Sequence, residues 1–174
     1  MKYIFRNSSN HQGFSKQIRP KFTPLHGLFL MVLLAACSNN KKTEDAKSTS
    51  VFPKGERITN TNFSGQVWLN NLVQADSLNQ NAVGSVTFEA GARTKWHIHP
   101  AGQIILALDG TGYYQEKGSP KVIVKKGDVV KCPANVAHWH GASANTAFVQ
   151  VAITGREKGE TQWLDAVSDA EYSK

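Results

Sequence analysis

Apolar and polar residues alternate with a period of two from about residue 58 almost to the C terminus, not with the 3.6-residue period of an amphipathic helix. Short alternating segments recur between turn signals such as Asp109-Gly-Thr-Gly112 and Lys117-Gly-Ser-Pro120. This spacing leaves no room for crossover helices, so the strands are expected to be antiparallel. The pattern predicts an all-β sandwich or barrel with strands at 66–72, 84–88, 94–99, 103–108, 112–116, 121–124, 128–132, 137–140 and 147–154.

The C-terminal segment departs from this alternation. Trp163, Leu164 and Val167 fit a helical stripe, and Ser168-Asp-Ala-Glu171 has the form of a capping box. The sequence therefore predicts one or two short C-terminal helices that close an end of the barrel.

The first 36 residues have the layout of a signal peptide. Residues 1–27 carry basic residues and no acidic one, and residues 28–36 form an unbroken apolar run. The run ends in Leu34-Ala-Ala-Cys37, which resembles the lipobox of bacterial lipoproteins. That resemblance implies cleavage before Cys37, acylation of Cys37, and a lipoprotein anchored in the cell envelope at the periplasmic or outer-membrane face.

Residues 37–57 are polar, with mixed charge and few apolar side chains. Such a segment cannot bury enough apolar surface to fold, so we expect a flexible tether that leads to a globular domain at 58–174. No apolar run reaches the roughly 20 residues of a membrane-spanning helix. Membrane contact is therefore expected through the lipid anchor alone.

The formal net charge of +7 comes mainly from the N-terminal segment. Five of the 20 Lys and Arg precede Cys37, which leaves 15 against 13 Asp and Glu. A groove for nucleic acid needs clustered basic residues in the folded part. The sequence indicates a small-molecule substrate and no nucleic acid, and it leaves a homodimer open.

With Cys37 acylated, Cys132 has no partner for a disulfide within the chain. Cys132 lies in the apolar, strand-like run 129–133. We therefore predict that it is a small buried hydrophobe.

Two His-x-His pairs, His97-Ile-His99 and His138-Trp-His140, lie in predicted strands. Side chains two residues apart on a strand point to the same face, so each pair directs two imidazoles one way. Imidazole is a frequent ligand of first-row metals. Two such pairs about 40 residues apart predict a metal site in the barrel interior.

The spacing around these histidines resembles the two motifs of the cupin superfamily. Gly91-x5-His97-x-His99-x3-Gln103-x6-Gly110 matches the first motif, with Gln103 where Glu is usual. Gly127-x5-Pro133-x-Asn135-x2-His138 matches the second, with Asn135 where Gly is usual. The resemblance implies a cupin jelly-roll barrel with a short C-terminal helix, whose motifs span residues 91–142.

A closer resemblance covers residues 83–172. Trp96-His-x-His-Pro100, His138-Trp-His-Gly-Ala142 and the tail from Gln162 to Tyr172 are similar to small bacterial cupins that include manganese-dependent hydroxynitrile lyases. In those proteins three His and one Gln bind the metal. The resemblance implies one divalent ion, with manganese favoured over iron, nickel or zinc, and these ligands: His97, His99, Gln103 and His138. His140 matches a position that is not a ligand, although spacing alone does not choose between His138 and His140.

One departure concerns the chemistry. Gln150 stands where the hydroxynitrile lyases of this group have a His that serves as a base, and a neutral amide cannot take a proton. Two substitutes for this base remain open, His140 and a metal-bound hydroxide, and the resemblance implies neither. Thr94 also matches the family, with Arg93 and Trp139, in a supporting position. The candidate catalytic residues are therefore Gln150, His140 and Thr94, with weak or absent cyanohydrin cleavage expected.

Three classes of function remain open at this stage. The first is a Lewis-acid enzyme acting on a small carbonyl, enol or hydroxynitrile compound, because four neutral ligands leave the ion its full charge. The second is an iron-dependent cupin dioxygenase that cleaves an enol or diketone. The third is a non-catalytic cupin that binds a small molecule.

Overall fold

The computed structural model describes residues 4–5 and 50–174. The described residues form antiparallel strands and one short helix, which confirms the predicted all-β class with its short C-terminal helix. The predicted lipobox and Cys37 lie outside the described residues. The elements are β1 Ile4–Phe5, β2 Glu56–Arg57, β3 Phe63–Ser64, β4 Val67–Val73, β5 Asn81–Phe88, β6 Arg93–Thr94, β7 His97–Ile98, β8 Gln103–Glu116, β9 Val122–Lys125, β10 Val129–Cys132, β11 His138–Ala142, β12 Phe148–Gly155, β13 Gln162–Trp163 and α1 Asp169–Ser173.

The sheet curls into a half-barrel around β8, which belongs to both of its halves. One half has the order β2-β4-β5-β12-β8-β10-β1. The other contains β13-β7-β11-β8-β9, with β6 joining β3 to β11. Every strand pairing among the described residues is antiparallel, which confirms the predicted antiparallel arrangement.

The predicted turn at residues 109–112 is wrong. β8 runs without a break through this stretch, pairing first with β12 and then with β9 and β11. Gly110 has φ +75°, and a Cβ atom there would lie 1.9 Å from the carbonyl oxygen of Ala147. Glycine therefore lets one long strand bend from one half of the sheet into the other. A glycine such as Gly110 is compatible with either a turn or a bend within a strand, so the sequence alone does not distinguish them.

The C-terminal segment is part strand and part helix. Residues 162–163 form β13, which pairs with β7, so the predicted helical stripe through Trp163, Leu164 and Val167 is wrong. The backbone N–H and C=O groups of this segment form their hydrogen bonds with the edge strand β7, so they need no helical hydrogen bonds. The capping box is confirmed, since the Ser168 side chain accepts from the Glu171 backbone N–H and the Glu171 carboxylate accepts from that of Ser168.

Asn135 occupies the second-motif position where glycine is usual in cupins. Its φ is +60°, in the left-handed region that glycine adopts freely and that asparagine tolerates better than most residues. The substitution therefore keeps the backbone conformation of the turn that leads into β11.

The predicted alternation along the histidine strands is confirmed. Trp96 and Trp139 point away from the histidines and pack with Val167 and Tyr172 in a separate apolar cluster. Arg93 fastens the C-terminal helix to this cluster, because its Nη2 donates to the Val167 carbonyl at 3.0 Å and to Asp169 at 2.6 Å. The larger core, which includes Phe88, Ile105 and Phe148, fills the barrel interior beside the histidines.

In the described part of the chain no helix has the length and apolar character needed to cross a bilayer.

Candidate metal centre

Four histidines converge inside the barrel because β7 and β11 are paired. His97 lies directly opposite His138 in that ladder, and their ring centroids are 4.3 Å apart. His99 lies 4.9 Å from His97 and 5.4 Å from His138, and His140 lies 5.3 Å from His97, between ring centroids. All four side chains are buried. The two His-x-His pairs thus form one cluster, as the strand period predicts.

Backbone carbonyls fix the orientation of two of these rings. The Nδ1 atoms of His97 and His138 each lie 2.9 Å from a carbonyl oxygen, that of Lys95 and that of Val136. A ring nitrogen that faces a carbonyl must carry the proton, so Nε2 holds the lone pair. This hydrogen bond from the far nitrogen is the arrangement that metal-binding histidines use.

His99 is oriented by a side chain instead. Its Nδ1 lies 3.1 Å from the hydroxyl oxygen of Thr161, a residue between β12 and β13. Its Nε2 then faces the interior and has no hydrogen-bond partner in the described part of the chain.

Buried ring nitrogens without partners are the main sign that the cluster holds an ion. The unpartnered atoms are Nε2 of His99, Nε2 of His138 and Nδ1 of His140. Since buried polar atoms are normally hydrogen-bonded, these unpartnered nitrogens fit the coordination of a metal ion. The potential ligand atoms of His97, His138 and His140 all lie within 4.8 Å of one another, so three histidines can form a metal site.

Burial keeps these histidines neutral. It lowers the pKa of His99 to about 3, with His138 and Arg156 adding charge repulsion. Burial also lowers the pKa of His97, His138 and His140, and the neighbouring histidines contribute to the shift at His97 and His140. A neutral imidazole has a lone pair to offer, so the environment suits metal binding at neutral pH.

Gln103, the predicted fourth ligand, lies in the same cavity but is held by two other side chains. Its Nε2 donates to Thr154 Oγ1 at 2.9 Å, and its Oε1 accepts from the Cys132 thiol at 3.9 Å. The thiol is a weak donor, so the amide oxygen remains available to an ion. Cys132 itself is buried, as predicted, and burial raises the pKa of its thiol to about 12.

Two of the three candidate catalytic residues line the cavity, and the third lies behind its wall. Thr94 lines the cavity and accepts from the His140 backbone N–H at 3.2 Å. His140 lines the cavity too, with its ring edge against Phe88. Gln150 is fully buried, lies opposite Val86 on β5, and both of its amide atoms lack partners among the described residues. It is not among the residues that line the cavity.

The cavity has a volume of about 170 Å³, close to the ~150 Å³ that holds benzene in an engineered protein core. It therefore suits a small organic molecule. Its apolar wall includes Phe63, Leu69, Val86, Phe88 and Trp163, and its polar lining includes Thr94, His97, His99, Gln103, His140, Thr154, Arg156 and Thr161.

Four polar residues of this lining did not stand out in the sequence: Asn71, Thr154, Arg156 and Thr161. All four lie outside both histidine motifs. Asn71 belongs to β4, and the other three reach the site because β12 packs beside β8 and the chain then turns back toward β7. The strand period places Thr154 on the same face as Ala152, which is the one signal that could have indicated it.

Comparisons with known proteins agree with this geometry. The family model described as "Cupin domain" matches residues 84–154. The (R)-mandelonitrile lyase of Granulicella tundricola is 40% identical over 113 residues, which cover 64% of this chain and 86% of that protein.

Two solved structures are similar to the chain. A cupin-like protein from Thermotoga maritima is 43% identical, with a TM-score of 0.67 over 70% of this chain and 93% of that one. A cupin 2 conserved barrel domain protein from Rhodopseudomonas palustris is 16% identical, with a TM-score of 0.54 over 62% and 74% of the two chains, and shows likeness in fold alone. The motifs, the curled sheet and these relatives lead to one conclusion: the chain belongs to the cupin family.

Proposed function

We propose that this cupin is a metal-dependent enzyme that acts on a small carbonyl, enol or hydroxynitrile compound. The observation that carries the proposal is the cluster of buried, neutral histidines with unpartnered ring nitrogens, of which His97, His99 and His140 line a cavity of about 170 Å³. Perturbed titratable groups in a small cavity are typical of functional sites. A relative 40% identical is named (R)-mandelonitrile lyase, which supports the same reaction class.

The proposed ligands are His97, His99, Gln103 and His138, and the proposed ion is manganese. Three of them are already arranged for this role, because their Nδ1 atoms are held by Lys95, Val136 and Thr161. When bound, the ion supplies Lewis-acid polarisation of a substrate oxygen. All four side chains are neutral, so they do not reduce the charge that the substrate oxygen meets.

His140 is the one basic ring in the cavity that this ligand set leaves over. Its Nδ1 has no partner among the described residues, so it can accept a proton from a substrate hydroxyl. Burial lowers its pKa, however, which makes it a weak base. Gln150 has no basic nitrogen at all.

Cyanohydrin cleavage needs a base that takes the hydroxyl proton while cyanide leaves with the electron pair of the carbon–carbon bond. With a weak base at His140 and an amide at Gln150, this reaction should be slow here. We therefore propose a hydroxynitrile-lyase-like metal site whose preferred substrate is a carbonyl or enol compound, with cyanohydrins as poor substrates.

Elemental analysis of the purified protein, followed by a substrate screen with and without oxygen, tests the proposal. We expect one divalent ion per chain, and turnover of a small carbonyl or hydroxy compound that stops after chelation and does not consume oxygen. Oxygen consumption would favour a dioxygenase instead. Stoichiometric metal without any turnover would favour a binding protein.

The location of the protein is a separate proposal that rests on the sequence alone. The apolar run 28–36 and Leu34-Ala-Ala-Cys37 support a lipoprotein anchored at the cell envelope through Cys37.

A further inference from the structure

Arg156 carries the one formal charge, at neutral pH, among the side chains that line the cavity. It follows directly after β12, and its backbone N–H donates to the Gln80 carbonyl, which fixes the start of its side chain. The side chain is 27% exposed, so it lies where the cavity meets solvent. Because the rest of the lining is neutral, this guanidinium is the group in the cavity that would attract an anionic ligand.

A short hydrogen-bond chain joins Arg156 to the histidine cluster. Its Nη1 donates to Thr161 Oγ1 at 3.1 Å, and Thr161 Oγ1 lies 3.1 Å from His99 Nδ1. Since His99 needs its lone pair on Nε2, its Nδ1–H donates to Thr161 as well. The guanidinium and the His99 ring are therefore linked through the Thr161 hydroxyl by two hydrogen bonds.

The current partner of Arg156 is weakly held. Nη1 also donates to the Glu160 carboxylate at 2.6 Å, but that side chain is 86% exposed. Exposed ion pairs contribute little to stability, so another carboxylate can replace Glu160 at small cost. In the described part of the chain Nη1 carries these hydrogen bonds, which leaves Nε and Nη2 as a donor pair for a bidentate carboxylate.

We propose that Arg156 is a specificity residue that binds the carboxylate of a small oxo or hydroxy acid. This inference rests on the proposed function, because the carbonyl or hydroxyl oxygen of that acid would face the histidine cluster. The cavity volume of about 170 Å³ suits one such small molecule. The carboxylate of such an acid would pair with the Arg156 guanidinium, and its oxo or hydroxy oxygen would face the ion that the histidines are proposed to hold.

Paired acids and amides test the role of the charge. Pyruvate and lactate are titrated calorimetrically into the metal-loaded protein beside pyruvamide and lactamide, which have the same shape and no charge. We expect the wild-type protein to bind the acids at least about tenfold more tightly than the amides. Equal affinities would overturn the inference.

Variants of Arg156 and of its neighbour Lys158 test whether the preference for acids depends on Arg156 itself. Arg156→Gln should lose at least about tenfold in affinity for the acids and leave the amides unchanged, whereas Arg156→Lys should lose less, because it keeps the charge without the fork. Lys158→Gln is the matched control, since Lys158 is exposed on the same loop, carries the same charge and does not line the cavity. An equal loss in Lys158→Gln would show a general charge effect and overturn the inference.

Glu160→Gln gives a test in the opposite direction. Removing the competing carboxylate should tighten binding of the acids by about two- to fivefold. Because Glu160 is exposed, the variant should fold as the wild type does. Weaker acid binding in Glu160→Gln would contradict the exchange of carboxylates at Arg156.

The metal content of each sample separates this inference from the proposed function. If the wild-type protein takes up no metal, the proposed function fails, and the same acid and amide comparison on that protein decides the role of Arg156. If metal is bound but acids and amides bind alike, the proposed function stands and the inference about Arg156 fails.

Discussion

His97 and His138 lie opposite each other on β7 and β11, and each is positioned by the carbonyl two residues before it in the chain. Both Nδ1-to-oxygen distances are 2.9 Å, and the two ring centroids are 4.3 Å apart. The same local arrangement therefore occurs on two paired strands. It directs both Nε2 lone pairs into the barrel.

The first prediction concerns the metal ligands. His97→Ala or His138→Ala should abolish binding of the divalent ion, because each removes a lone pair that the backbone has already oriented. His140→Ala should keep most of the metal. Metal content after dialysis against a limiting concentration of manganese measures the difference.

This series also decides between two arrangements of ligands. The ring nitrogens of His97, His138 and His140 lie within 4.8 Å of one another, while the family resemblance uses His99 and Gln103 in place of His140. Loss of metal in His140→Ala, with retention in His99→Ala, would favour the first arrangement. Stoichiometric metal in His97→Ala would refute both.

The second prediction concerns Gln150. Cleavage of mandelonitrile by the wild-type protein should be weak. Gln150 does not itself line the cavity, but Val86 opposite it and Ala152 on the same face of β12 do. Gln150→His therefore adds a base directly behind the lining and should raise cleavage at least about tenfold, since general bases contribute roughly 100- to 10,000-fold. The new imidazole has an unperturbed pKa of about 6.5, which suits proton transfer near neutral pH. Release of benzaldehyde is followed by absorbance.

Gln150→Asn is the control for this change, because it alters the side chain without adding a base. Strong cleavage by the unchanged protein would contradict the assignment of the base. So would a folded, metal-loaded Gln150→His variant with no gain.

The third prediction concerns the pH dependence of the metal-free protein. The pKa of His99 is about 3 in the fold, against about 6.5 for an ordinary histidine, so between these pH values the unfolded chain binds more protons. The free energy of unfolding should therefore fall as the pH drops below about 6.5, by up to about 1.4 kcal/mol per pH unit for each such histidine. Urea titrations in EDTA at pH 7.5, 6 and 5 measure it.

His140→Gln supplies the comparison, since it removes one buried histidine whose pKa is lowered in the same direction. Its stability should fall less steeply with decreasing pH than that of the wild type. Parallel slopes would mean that His140 is not neutral in the fold.

The fourth prediction concerns the bend in β8. Gly110→Ala should destabilise the fold by more than the ~1–2 kcal/mol that the left-handed conformation costs, because its Cβ would collide with the Ala147 carbonyl. Gly118→Ala is a matched control, with φ +77° and no atom of the described chain within 4 Å of the added Cβ. Denaturant midpoints of the two variants give the difference. Equal losses would show that the contact with Ala147 does not limit the bend.

The fifth prediction concerns the N terminus. In a host that processes bacterial lipoproteins, the mature chain should begin at an acylated Cys37, because the preceding run ends in Leu34-Ala-Ala. Mass spectrometry of the envelope fraction checks this, with Cys37→Ser as the unprocessed control. A native chain with an intact Met1 would contradict it.

The period of two along the chain was enough to predict most strands and the side on which each histidine lies. This works because a strand places alternate side chains on opposite faces whatever its partners are. The separation of His97 and His138 from Trp96 and Trp139 follows from it directly. The capping box at Ser168 and Glu171 is equally local, so it too could be predicted.

Local signals were ambiguous where pairing with a distant strand decided the outcome. The glycines at residues 110 and 112 indicated a turn, but pairing with β12, β9 and β11 keeps β8 continuous. Trp163 fitted a helical pattern of apolar residues, but it lies in β13, which forms backbone hydrogen bonds with the edge strand β7. In both cases tertiary hydrogen bonds outweighed the local preference.

The sequence by itself determined the fold class, the two histidine pairs and their common face, because these depend on neighbours along the chain. Only the tertiary structure decided two contacts between distant residues. Thr154 holds Gln103, 51 residues away in the chain. Thr161 links Arg156 to His99, which lies 62 residues from Thr161. Such contacts depend on the register of β12 against β8 and on the return of the chain past β7. Many distant interactions together fix that register, so no short segment of sequence encodes it.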